Sequence, residues 1–186
     1  MSSPLQALRT ALRETLLRRV YPRGWFRSRR YDFGAAGGRP ALIAMCLWNR
    51  PSHFRTLLDN FAAQDHPDGL ILGLWNNDRS LASHYERELD RWRRESEPGA
   101  LRRVHLTHAP INTGGPGRFY MGRMLAHRYR QPFIVFMDDD QVIGPAWAGQ
   151  LLAQAEAKTQ KSWWAWKISN DDYWDRVRAM PGERID

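Results

Sequence analysis

The sequence predicts an α/β protein built on a mainly parallel sheet with flanking helices. Two observations carry that reading. Short, continuous apolar runs (Ala41 to Trp48, Leu70 to Trp75, Pro132 to Met137) suit strands buried on both faces. Between them lie stretches with helical spacing or helical composition, and alternation of the two kinds implies parallel strands joined by helical crossovers. At 42% hydrophobic and 26% charged residues the 186-residue chain is no disordered polymer, and it is long enough to enclose a core.

Each element follows from local signals. Ala41 to Trp48 is the first strand of the body. Pro51 suits the first turn of a helix, whose apolar face is Phe54, Leu57, Leu58 and Phe61. His66-Pro67-Asp68-Gly69 is a turn, and Leu70 to Trp75 the second strand. Leu81 to Glu95 is a heavily charged helix, and Leu101 to Thr107 the third strand. A glycine-rich loop at Asn112 to Gly117 leads into a helix ending near Arg130. Pro132 to Met137 is the fourth strand, Pro145 to about Lys161 a helix, and Trp163 to Ile168 a fifth strand.

The charge is uneven. Residues 1–40 hold nine arginines against Glu14 and Asp32, whereas residues 41–186 hold 19 basic and 18 acidic side chains. The chain therefore divides into a basic arm and linker at 1–39 and a near-neutral body at 40–186. Leu5, Leu8, Leu12, Leu16 and Val20 form one apolar stripe on a basic amphipathic helix, followed by Trp25, Phe26, Arg27, Arg29 and Arg30. That pattern suits either peripheral contact of residues 1–30 with an anionic membrane surface or a helix packed on its own domain. A near-neutral body argues against nucleic acid as a partner. No run approaches the ~20 apolar residues of a membrane-spanning helix, and arginines interrupt the N-terminus where a secretion signal would need an apolar core. One cysteine, Cys46, cannot form an internal disulfide. The expected location is cytoplasmic, with or without peripheral attachment to the inner face of the cell membrane.

In a parallel sheet, ligands bind beyond the carboxyl ends of the strands. Trp48-Asn49-Arg50, Asn76-Asn77-Asp78 and Asp138-Asp139-Asp140 all fall there. The aspartate triplet is the sharpest of these, because adjacent carboxylates repel and give the strand nothing. If the extended geometry continues, Asp138 and Asp140 share a side and offer hard oxygens to Mg²⁺ or Mn²⁺. The alternative is that Asp140 caps the helix that follows. Asn112, Gly114, Gly115 and Arg118 belong to the segment Asn-Thr-Gly-Gly-Pro-Gly-Arg, which reads as an anion cradle at a helix start or as a plain loop. It is neither a Walker loop nor a dinucleotide fingerprint. Six scattered histidines form no metal-ligand pair. Trp163, Trp164, Trp166 and Trp174 suit either stacking on sugar rings or packing.

These residues resemble family 2 glycosyltransferases, and galactofuranosyltransferase-like members in particular. Residues 41–51, ALIAMCLWNRP, look like that family's opening strand and nucleotide-contacting turn. Asn76-Asn77-Asp78 resembles its second-strand acidic turn. Asn112 to Phe119 is similar to its glycine-rich segment, and Phe136 to Ile143 contains an Asp-x-Asp sequence where its metal motif lies. The resemblance spans about residues 41–150. It implies a GT-A (Rossmann-like) fold, a nucleoside diphosphate sugar donor (UDP-type), and Mn²⁺ or Mg²⁺. It implies that Asn49, Arg50 and Asp78 face the nucleoside, that Asp138 and Asp139 line the donor site, and that Asp138 and Asp140 hold the metal. The implied activity is inverting transfer of the sugar to a glycan or lipid-linked acceptor.

One departure accompanies the likeness. Family members continue into an acceptor region that supplies a general base, and this sequence ends near where that region should start. Asp171 and Asp172 are the candidates for a base. The competing expectation is a non-catalytic nucleotide-sugar-binding or assembly protein.

Overall fold

The computed structural model describes residues 26–35, 38–157, 166–168 and 176–178, with Leu12 and Thr15 besides. Of the amphipathic helix expected before Tyr21 only Leu12 and Thr15 are among those residues, both helical, and the rest of that expectation lies outside them. The chain forms two compact units, Met1–Gly149 and Gln150–Asp186.

In chain order the first unit holds β1 (Arg27–Asp32), β2 (Ala41–Leu47), α1 (Phe54–Ala62), β3 (Leu70–Asn76), α2 (Ala82–Glu95), β4 (Leu101–His108), α3 (Pro116–Tyr129) and β5 (Val135–Asp138). α4 (Trp147–Ala153) follows. One sheet runs in the order β1-β4-β3-β2-β5. β2, β3, β4 and β5 are mutually parallel and β1 is antiparallel to β4. The fold is thus α/β on a mainly parallel sheet.

The apolar runs form strands because both faces are covered. Leu42, Ile71 and Trp75 pack against Met121 and Leu125 of α3. Gly73 sits in the same row, where a Cβ would lie 2.7 Å from Leu125 and 2.9 Å from Met121, so its missing side chain lets α3 approach. Alternation sends Ile43, Met45, Leu72 and Leu74, all fully buried, to the opposite face. The apolar stripe of α1 is buried as its spacing requires, and Phe54 meets Tyr85 of α2 edge to face at 4.8 Å. The Trp92 indole N–H donates to Asp59 at 2.6 Å and ties the two helices together.

Several expectations need correcting. Arg27–Asp32 is not part of a linker arm but an edge strand, in which Arg29 pairs with Glu86 and Asp90, both at 3.4 Å, and Arg30 with Asp32 at 2.8 Å. Charge at an edge is normal, because one side of the strand stays open to water. The fourth parallel strand begins at Val135 rather than Pro132, which has no N–H to give a ladder. α4 ends at Ala153, well before Lys161. In the second unit β6 (Trp166–Ile168) pairs antiparallel with β7 (Arg176–Arg178) in a separate two-stranded sheet, so it is not a fifth parallel strand. Among the described residues no helix is long and apolar enough to cross a membrane.

Candidate functional site at the carboxyl edge of the sheet

β2, β3 and β5 deliver their polar ends to one edge, and hydrogen bonds join those ends. Asn77 donates its backbone N–H to the Leu47 carbonyl at 3.1 Å. Asp139 accepts from the Trp48 backbone N–H at 2.9 Å and from Arg50 at 2.8 Å. The three clusters singled out in the sequence therefore meet.

The turn after β2 is sharp. Asn49 adopts φ 54°, a left-handed conformation that asparagine tolerates better than most residues. It turns the chain so that the Arg50 guanidinium forks across two carboxylates, Asp139 at 2.8 Å and Asp140 at 3.1 Å. These partners, Asp139 foremost, raise the arginine's pKa further above its usual value. Trp48 is about half exposed, at 47%, on the same turn.

The turn after β3 works mainly as a scaffold. The buried Asn77 Oδ1 accepts from the Trp75 indole at 3.2 Å, the Thr113 backbone N–H at 3.0 Å and the Thr113 hydroxyl at 2.9 Å. Its amide donates to the Gly114 carbonyl at 3.1 Å. Asp78 accepts from the Ser80 backbone N–H at 2.9 Å and its hydroxyl at 2.6 Å, capping a short 3₁₀ turn before α2. Asn76 reaches His108 Nδ1 at 3.0 Å, and His108 Nε2 lies 3.2 Å from Glu86. The sequence marked Asp78 as the contact residue of this cluster and missed Asn77, which fixes the loop; nothing in an Asn-Asn pair distinguishes the two.

The glycines of the rich loop have separate reasons. Gly114 has φ +66° and donates its backbone N–H to Asn112 Oδ1 at 2.8 Å. A Cβ on Gly117 would penetrate the Trp75 ring, so that glycine serves packing. A Cβ on Gly115 would meet mainly the Arg118 guanidinium, 3.3 Å away. The Cys46 thiol donates to the Gly114 carbonyl at 3.4 Å, and burial raises its pKa. Arg118, in the first turn of α3, donates to the Met137 carbonyl at 3.1 Å and pairs with Asp138. Its Nε is buried with no hydrogen-bond partner among the described residues.

The strand ends at Asp138, and Asp139 and Asp140 lie in a turn. The alternation expected to set Asp138 and Asp140 on one side therefore does not continue past Asp138. Neither is Asp140 a helix cap, since α4 begins at Trp147, whose N–H bonds to Gly144. The segment after the triplet is held to the chain just past α1 by Gln64. That side chain donates to Gly144 O at 2.9 Å and accepts from Ala148 N at 3.1 Å. Asp139 is only 9% exposed, but Asp138 and Asp140 are 58% and 47% exposed.

Beneath the triplet, the Tyr85 hydroxyl is buried with no hydrogen-bond partner among the described residues. Burial, then Asp139 and Asp78, push its pKa up to about 12, so it stays protonated. Beside the triplet, Phe119 and Phe136 form an exposed aromatic pair at 4.7 Å. Asp171, Asp172 and the side chains of Trp163, Trp164, Trp166 and Trp174 lie outside what the structure describes.

The donor chemistry fits a divalent cation shared with a substrate. Asp138 and Asp140 present exposed hard oxygens, and every carboxylate of the triplet already carries a cationic guanidinium. Among the described residues no three His, Cys, Asp or Glu side chains are grouped to hold a metal alone. The remaining ligands would be substrate and water oxygens, as Mg²⁺ and Mn²⁺ commonly accept.

No protein-family model and no curated protein matches this sequence. Among solved structures it is similar to Staphylococcus aureus TarS 1–349, at 19% identity and TM-score 0.43, over 62% of this chain and 32% of that one. The same values of identity and TM-score hold for TarS 1–349 in complex with UDP, over 61% of this chain and 31% of that one. They hold also for a longer TarS structure, of which 19% is covered. The chain thus spans about a third or less of the length of these neighbours.

Proposed function

We propose that the protein is a GT-A-type glycosyltransferase that takes a sugar from a nucleoside diphosphate donor, UDP-type, and passes it to a glycan or lipid-linked acceptor with inversion. The observation that carries this reading is the meeting of Asp138–Asp140, Arg50 and the Gly114–Arg118 segment at the carboxyl edge of one parallel sheet.

Asn49, Arg50 and Asp78 border the nucleoside. Asn112, Gly114, Gly115 and Arg118 border the diphosphate, with the Arg118 guanidinium as its charged donor, and Asp139 holds the turn on which Arg50 stands. Asp138 and Asp140 would hold Mn²⁺ or Mg²⁺, which supplies Lewis-acid relief of charge on the departing diphosphate. Asp171 or Asp172 takes the proton of the acceptor hydroxyl as that oxygen bonds to the anomeric carbon and the bond to diphosphate breaks. The arm, residues 1–25 once the edge strand is set aside, serves as the membrane-surface contact for a lipid-linked acceptor.

The test is calorimetry and thermal shift with a panel of nucleoside diphosphates, each with Mn²⁺, Mg²⁺ or chelator. Stabilisation of about 2.7 kcal/mol is expected at a hundredfold excess over Kd. It should require metal and vanish in Asp140→Ala. Nucleotide binding that ignores both metal and that substitution overturns the reading. Metal-dependent binding with no transfer or donor hydrolysis selects the non-catalytic alternative.

A further inference from the structure

The three carboxylates proposed to receive a metal are not waiting open. Arg50 spans Asp139 and Asp140 at 2.8 and 3.1 Å, and Arg118 pairs with Asp138 while donating to the Met137 carbonyl at 3.1 Å. Two positive charges thus sit on three negative ones. A divalent cation arriving alone must either share these carboxylates with guanidiniums or send them into water. A diphosphate arriving with the cation changes the balance. It brings two or three negative charges and oxygen pairs that match a guanidinium fork.

The two arginines differ in how ready they are to leave. Arg50 is 43% exposed, so its side chain can swing with little loss of packing. Arg118 is 21% exposed and its Nε is buried without a partner among the described residues, so its present position leaves one donor unmet. Its guanidinium also lies 3.3 Å from where a Gly115 Cβ would be, directly over the loop assigned to the diphosphate. An unmet donor beside an anion cradle gains a bond when an anion arrives.

Resting on the proposed donor site, we propose that Arg50 and Arg118 are exchange residues: they hold the aspartates in the empty protein and move to the diphosphate as metal and nucleotide bind together. Metal and nucleotide binding are then coupled through the arginines, each ligand raising affinity for the other by the same factor. The device keeps the site from filling with metal alone.

Free Mn²⁺ is measured by its EPR signal during titration of the full chain, with and without UDP, in wild type, Arg118→Met and Arg50→Met, with the Mn²⁺ held by UDP alone measured without protein and subtracted. Wild type should bind Mn²⁺ weakly alone and at least about tenfold more tightly with UDP. In Arg118→Met, Mn²⁺ affinity without UDP should rise, and the gain from UDP should shrink to the part that direct coordination of the metal by the diphosphate supplies. Arg50→Met alters a more exposed side chain and should show the same pattern, and the unfolding midpoint of each variant, read beside the titration, separates a folding defect from a change in affinity. An equal shift with and without UDP, or no shift, in both variants overturns the exchange and leaves the donor-site reading standing. Absence of any UDP-dependent Mn²⁺ binding in wild type removes the donor-site reading itself, and the exchange with it.

Discussion

On the β3 side of the site, Asn77 is 5% exposed and satisfies Trp75, Thr113 and Gly114 with four hydrogen bonds. On the β5 side, Asp138 and Asp140 meet arginines through side chains about half open to water. Buried neutral hydrogen bonds are expensive to break, because each orphaned group keeps its desolvation penalty. Exposed ion pairs are cheap to break, since water and salt replace them. The rim is therefore held by buried hydrogen bonds where the glycine loop is anchored and by readily broken ion pairs at Asp138 and Asp140.

The contrast can be tested by perturbing each side. Gly117→Ala should have the largest effect, about 3 kcal/mol lost in urea unfolding, because the new methyl meets the fully buried Trp75 ring. Asn77→Ala should lose about 2 kcal/mol and, by hydrogen exchange, loosen residues 112–115. An unchanged exchange pattern there would refute the claim that Asn77 fixes the loop.

The same side of the sheet has a titratable weak point in His105, buried against the Tyr129 hydroxyl at 2.7 Å. Burial, then Arg128, Arg103 and Arg30, lower its pKa to about 4, with Asp32 opposing. The unfolded chain therefore binds more protons between about 4 and 6.5, so this contribution is complete above 6.5 and is lost as pH falls. Roughly 2 kcal/mol should disappear between pH 6.5 and 4.5, read as the difference in slope between wild type and His105→Gln.

The smallest effect belongs to the exposed side. Asp138→Asn or Asp140→Asn should change stability by less than about 0.5 kcal/mol, measured by chemical denaturation, although the second substitution is expected to weaken metal-dependent nucleotide binding. A loss above 2 kcal/mol would mean that these pairs are structural after all.

Much of the main sheet was legible because β2 and β3 announce themselves as unbroken apolar runs and α1 as a four-residue stripe. β1 was not. Arg-Ser-Arg-Arg-Tyr-Asp has no strand pattern of its own, and it becomes a strand only because β4 offers an edge and Glu86 and Asp90 receive Arg29. In the site, the aspartate triplet was visible as a cluster, but the direction of its side chains was not. The alternation rule needs the strand to continue, and here it stops at Asp138.

By itself the sequence determined the alternation of strand and helix, the polar clusters at the strand ends and the concentration of positive charge in the first 40 residues. These are local properties, set by spacing and composition. Only the tertiary structure decided that Arg50 and Arg118 sit on the aspartates, that Asn77 rather than Asp78 anchors the loop, and that Gly117 answers to Trp75. Each of those contacts joins residues at least 20 positions apart, and no local preference encodes which of several arginines or asparagines will arrive there.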